Sequence, residues 1–216
     1  MVIMANFSHL IYQNWLDGIN LTKSEVEYQI SNICYEKKSD RDDNVEHLPG
    51  FPVMAKPFYE FVKDNNRIPN QLEFYKRFKD TYQEQTENII KKYKEPPLIG
   101  RVASRTYPSL LRELYIIISC KECKDFSTLY NVGLDTNGID VLTFNNNSYV
   151  GNCVYQDTQN ARFNLERKKE SRWSYDNLQY LEWPLNYFNR KKVGNILLYS
   201  DRYIEEKINT IKNLLL

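Results

Sequence analysis

The chain has 216 residues, with 29 Lys and Arg against 28 Asp and Glu and a net charge of +1. Such a balance excludes a protein that coats nucleic acid by bulk charge, while leaving room for a local basic groove. Aromatic residues at 14% with only 7 Gly and 8 Pro argue against a disordered chain, and the length suffices for one large domain or two small ones.

In chain order, residues 8–17 read as a short helix stopped by Gly18. Thr22-Lys23-Ser24-Glu25 has the spacing of a capping box, and Val26, Ile30, Ile33 and Cys34 recur at helical intervals, so a helix is predicted over 22–37. Residues 39–52 are polar and then broken by Pro and Gly, which marks a loop. A helix is predicted over 55–64, with Pro57 tolerable only in its first turn. Asn70 caps another, bearing Leu72, Phe74, Tyr75 and Phe78 and running, with or without a break, to Tyr93, where Glu95-Pro96-Pro97 ends it. No strand is expected in this half. Beyond Pro97 the texture changes. Pro108 opens a helix over 109–120, followed by strands over 126–134, 139–144 and 149–158. An Asn137-Gly138 turn separates the first two, and Asn145-Asn146-Asn147 the last two. A helix over 159–172, strands over 178–185 and 194–199, and an amphipathic helix over 201–216 complete the chain. The expected fold is thus α/β (α+β): a helical region over 1–97 and an α/β domain over 98–216. The latter runs helix, three-strand meander, helix, strand, strand, helix.

Three polar residues recur within that second order. Glu113 interrupts an apolar helix in Leu110-Leu111-Arg112-Glu113-Leu114. Asp140 begins a strand in Gly138-Ile139-Asp140-Val141. Gln156 stands near the end of the next strand in Tyr155-Gln156-Asp157-Thr158. The element order and these motifs resemble the PD-(D/E)xK nuclease superfamily over residues 109–199. The resemblance implies a restriction-endonuclease-like core and hydrolysis of phosphodiester bonds, with DNA as the expected substrate, in a phage, mobile-element or defence setting. Glu113, Asp140 and Gln156 would be the catalytic and metal-binding set, and Mg²⁺ the cofactor. Hard cations of that kind take oxygen ligands, polarise the scissile phosphate and activate water.

The chain departs from the family pattern at its lysine, since Thr158 occupies that position. In some members the following helix supplies it, which points to Lys168 or Lys169. Nine residues of helix span about 13 Å, however, so the lysine has to reach back. Arg162 is better placed but a poor base. Between Arg162 and Lys192 eight basic residues face four acidic ones, interleaved with Trp173, Tyr175, Tyr180, Trp183, Tyr187 and Phe188. Arg162, Arg167, Lys169, Arg172 and Trp173 are therefore candidates for nucleic-acid contact, through phosphates and stacked bases.

Each feature also has an ordinary structural reading. Glu113 can be a surface residue, Asp140 a hairpin residue and Gln156 a partner of buried backbone, and the basic run a solvated helix face. A competing function follows: an inactive nuclease-fold module that binds nucleic acid or a protein, including a second copy of itself. Other motifs carry less. Cys120-Lys121-Glu122-Cys123 lacks the second pair that a structural zinc site needs. His9 and His47 lie far from the acids, Asp40-Arg41-Asp42-Asp43 lacks a calcium loop's Gly and Glu, and no glycine-rich phosphate loop occurs. Without a leader-like start or a long apolar run, the expectation is a reduced cytoplasmic protein with free thiols and no membrane association.

Overall fold

Local capping chemistry starts several of the helices. Thr22 accepts from the Glu25 amide (3.2 Å) and Glu25 accepts in return from the Thr22 amide (2.8 Å), opening α1, Lys23–Ser31. Asn70 and Glu73 repeat the arrangement (2.9 and 2.8 Å) at the start of a later helix, Gln71–Thr81. The computed structural model describes residues 14–37, 40–131, 133–134, 138–145, 148–159, 161–163, 165–166 and 178–216. It divides into two units. A helical unit comprises Ile19–Leu111 with Val193–Ile196, and an α/β unit comprises Arg112–Lys192 and Leu197–Leu216 with the described residues up to Gly18. The division thus falls after Leu111, where the sequence suggested Pro97.

In the helical unit α1 is followed by α2 (Asp43–Glu46), α3 (Ala55–Asn65), α4 (Gln71–Thr81), α5 (Gln83–Tyr93) and α6 (Glu95–Ile99). The expected helix over 22–37 stops at Ser31. There the Ser31 hydroxyl and the Asn32 side-chain Nδ2 both donate to the Tyr28 carbonyl (2.7 and 2.8 Å), and the Gln71 side chain bonds the backbone amide and carbonyl of Glu36 (2.7 and 2.9 Å). Side chains have replaced the helical ladder. α5 ends at Tyr93, as expected ahead of Glu95-Pro96-Pro97; the two prolines also stand in the first turn of α6, which needs no N–H from them. A π-helical turn, Gly100–Thr106, leads directly into α7, Tyr107–Glu122. Pro108 sits where the regular ladder is already broken, so its missing N–H costs little. A Cβ at Gly100 would collide with the Asp40 carbonyl. The core is aromatic. Phe58 meets Phe74 edge-on (5.6 Å between centroids), and Tyr107 stacks on Phe74 (5.9 Å) with its hydroxyl on the Pro69 carbonyl (2.5 Å).

In the α/β unit four strands form one sheet in the order β1 (Ser127–Leu129), β2 (Val141–Phe144), β3 (Tyr149–Gln156), β4 (Leu178–Leu185). The first three are antiparallel and β4 runs parallel to β3, as a crossover connection requires. Residues 159, 161–163 and 165–166 of that connection are helical. β1 is shorter than predicted because the backbone of Tyr130 turns to the segment before it: Trp15 donates to its carbonyl (2.9 Å) and Asn14 accepts from its amide (3.2 Å). Gly138 takes a positive φ of 80° at the expected turn. Two further strands, β5 (Arg190–Val193) and β6 (Ile196–Tyr199), form a separate pair; β5 was not foreseen. The last helix, α8 (Asp201–Leu215), is capped by Ser200. Among the described residues no helix is long and apolar enough to cross a membrane.

Strand alternation separates two environments. Leu142, Tyr149 and Leu178 join Leu129, Leu134 and Ile139 in an apolar cluster. On the other side Asn152 and Trp183 are fully buried, and the Trp183 indole N–H donates to Asn152 Oδ1 (2.9 Å). Tyr199 and Tyr203 meet Trp183 edge-on at 6.2 and 6.3 Å.

Candidate functional site

Asp140 precedes β2 at the point where the ladder to β3 falls out of step. Val141 pairs with Asn152, yet the Asp140 amide also donates to the Asn152 carbonyl (2.9 Å). Its carboxylate then reaches across to accept the Val154 amide. The side chain thus satisfies a β3 donor that the strand can no longer pair. Its charge is felt by Tyr199, as is that of Arg112 on α7. Burial holds the Tyr199 phenol far above its usual range; Arg112 opposes that shift, and Tyr203 and Asp140 reinforce it. Tyr199 and Tyr203 stack on one another at 5.7 Å and both meet Trp183 edge-on. Glu113 follows Arg112 on α7 and is 9% exposed, not a surface residue. A carboxylate so placed is costly without polar partners.

Gln156 ends β3 in an exposed position, two residues beyond Val154. That step is about 6.6 Å along a strand. Asp140 is thus brought level with Val154 rather than with Gln156. Thr158 does not extend the strand. Its amide donates to the Gln156 carbonyl (2.8 Å), its hydroxyl accepts from Ala161 (3.2 Å) and its carbonyl from Arg162 (3.0 Å). It is an N-cap for the crossover helix, the role its residue type favours. Arg162 grips Asp157 through Nε and Nη2, the latter at 2.8 Å. This hydrogen-bonded guanidinium holds the Asp157 carboxyl below its usual range. Lys168, Arg167, Lys169, Arg172 and Trp173 lie outside the described residues.

A cavity of about 330 Å³ opens beside this ion pair, with Tyr155, Asp157, Arg162, Glu166, Glu182 and Pro184 among its lining. The Tyr155 hydroxyl donates to Glu182 (2.8 Å), and burial, more than that bond, pushes its phenol up. Neither Asp140 nor Glu113 lines it. Sequence reading missed this group because Glu182 enters only through the parallel pairing of β4 with β3. In the helical unit a larger cavity, about 630 Å³, runs past Cys34, Arg67 and Glu73, where Arg67 and Glu73 saturate one another at 2.6 and 2.9 Å.

The weaker motifs take structural places. Cys120 is buried and its thiol is pushed up by that burial. Asp42 caps α2 by accepting from the Asn44 amide (2.8 Å), and His47 follows that helix at its end. Among the described residues no three His, Cys, Asp or Glu side chains come together to hold a metal ion. No family model matches the chain, and neither a curated protein nor a solved structure shows significant similarity to it.

Proposed function

We propose that the α/β unit hydrolyses phosphodiester bonds in DNA with a divalent cation, in the manner of the PD-(D/E)xK nucleases. The observation that carries this reading is the strand order. Three antiparallel strands follow a helix, and a crossover brings β4 parallel to β3, with an acid at the start of β2 reaching across to β3.

A hard cation takes oxygen donors. Asp140 and Glu113 offer carboxylate oxygens and Gln156 an amide oxygen. Mg²⁺ is commonly held by one or two carboxylates, with substrate phosphate and water completing its shell. When bound, it would polarise the phosphate and lower the pKa of a coordinated water. Asp140 is the residue we assign to orient that cation, its carboxylate being held by the Val154 amide. Arg162 is committed to Asp157 and stays charged, so it is not the base. Lys168 would stabilise charge on the scissile phosphate.

The test is cleavage of plasmid and oligonucleotide DNA with Mg²⁺ or Mn²⁺, by the intact chain and by the Asp140→Ala and Glu113→Gln variants. Each substitution is expected to lower the rate by about a hundredfold or more. Unchanged rates in Asp140→Ala would remove the mechanism. A second reading is favoured by the use of Thr158 as a cap where the family keeps its lysine: a nuclease-fold module that binds nucleic acid or a protein without cutting. DNA binding with no cleavage under either metal would establish it over the first.

A further inference from the structure

The turn from β4 to β5 holds two aromatic rings out in water. Tyr187 is 74% exposed and Phe188 93% exposed; among the described residues no other two exposed aromatic residues are adjacent. The backbone beneath them is fastened. Asn189, 7% exposed, donates to the Pro184 carbonyl (2.6 Å), accepts from the Asn186 amide (2.8 Å) and receives the Ser200 amide on its own carbonyl (2.8 Å). Asn186 in turn accepts from the Phe188 amide (2.9 Å). A buried asparagine thus orders a turn whose central side chains bury little, which is preorganisation for a ligand rather than for the core.

The surroundings of the rings are basic. Arg190 lies over a face of the Tyr187 ring (4.9 Å to its centroid), a cation–π contact that keeps the guanidinium beside the aromatic pair. Arg190 and Lys192 are both exposed and, as alternate residues of β5, share one side about 6.6 Å apart. That spacing suits successive phosphates of an extended strand. Lys191 between them turns away to Asp201 (2.8 Å). From Pro184 to Val193 there is no acidic residue.

We propose that this turn is a stacking platform for the unpaired bases of single-stranded or frayed nucleic acid, with Tyr187 and Phe188 against bases and Arg190 and Lys192 on the adjoining phosphates. The identity of the polymer rests on the nuclease reading above; the platform itself rests on the turn. Every base offers a π face, so stacking of this kind is tolerant of sequence, and charge beside the rings follows the backbone. A membrane surface fits less well, since only two rings project and both are flanked by asparagines.

The experiment measures binding of the full chain to a labelled oligothymidylate and to a duplex of equal length, by fluorescence anisotropy in EDTA, so that cleavage plays no part. Wild type is expected to prefer the single strand. Tyr187→Ala with Phe188→Ala should weaken that binding by about tenfold or more while duplex affinity and melting temperature hold, both side chains being exposed. Arg190→Gln with Lys192→Gln should flatten the log–log salt slope by about 0.7 for each phosphate no longer neutralised. Phe188→Trp should keep the affinity and show quenched emission with oligothymidylate bound. Wild-type affinity in the double alanine variant would overturn the platform, as would a wild type that binds no oligonucleotide or that engages phosphatidylserine vesicles instead. If the alanine variant binds normally while Asp140→Ala abolishes cleavage, the platform alone falls. If the platform binds as expected and no metal supports cleavage, the nuclease reading alone falls.

Discussion

Asn152 shows how much one buried polar side chain can organise. Its amide donates to the carbonyls of Val141 and Val150 and to the Thr143 hydroxyl at 3.1–3.2 Å, and its oxygen takes the Trp183 indole N–H. Three strands therefore meet at one residue. Replacing it with Leu leaves the indole donor buried without an acceptor, which costs about 1–3 kcal/mol before any loss of the amide's own bonds. Trp183→Phe in the same background removes that orphan. Urea denaturation should show the double variant losing less than the two single variants combined; strict additivity would mean that the bond carries no energy. Nothing in a lone asparagine announces this role, because all but one of its partners come from β2 and β4. Asp140, in contrast, was legible as a polar residue at a strand start, but its level on β3 depends on the step in the ladder there.

Helix boundaries divide into those set by neighbours in sequence and those set by packing across the unit. The boxes at Thr22 and Asn70 belong to the first kind, since donor and acceptor lie three residues apart. Asn70→Ala should cost about 0.5–2 kcal/mol. The turn at Gly100 belongs to the second, because it is the Asp40 carbonyl that excludes a side chain there. Gly100→Ala should cost more than removal of the cap, since a backbone carbonyl cannot swing aside as a side chain can, and overpacking of this sort costs about 1–3 kcal/mol. Denaturation midpoints of the two variants make the comparison; an equal or smaller loss at Gly100 would show that the Asp40 segment yields. The same division explains the predictions. The start of α1 could be read from four residues, whereas its end could not, because Gln71 pairs with Glu36 from 35 positions away.

At the scale of the whole molecule, titration joins the two units in one observable. In the helical unit the Arg67 guanidinium holds the Glu73 carboxyl below its usual range, and Lys79 does the same for Glu95. Folded pKa values below the unfolded ones give stability that is present above about pH 4.3 and lost as pH falls through the folded values. In the α/β unit burial raises the Tyr203 phenol to about 12. That contribution is complete below the unfolded value near 10 and lost as pH rises toward about 12. Lys207 has the opposite sign: burial lowers its pKa, so its cost when charged is relieved as pH rises through the folded value. Denaturant midpoints against pH should form a plateau that falls at both ends. Glu73→Gln should flatten the acid side and Tyr203→Phe the alkaline side; limbs unchanged in these variants would assign them to other groups.

What the sequence determined by itself is the part that short-range chemistry controls. The capping boxes at Thr22 and Asn70, the turn at Gly138 and the amphipathic α8 each need only residues within a few positions of one another. What the tertiary structure alone decided is where distant backbone groups found partners. Tyr130 left β1 for Asn14 and Trp15, which precede it by more than 110 positions. Glu182 met Tyr155 because β4 runs parallel to β3, and Asp140 met Val154 because the ladder slips at the start of β2. The physical reason is common to these cases. A buried donor or acceptor must be satisfied, and local sequence cannot say which distant group will arrive to satisfy it.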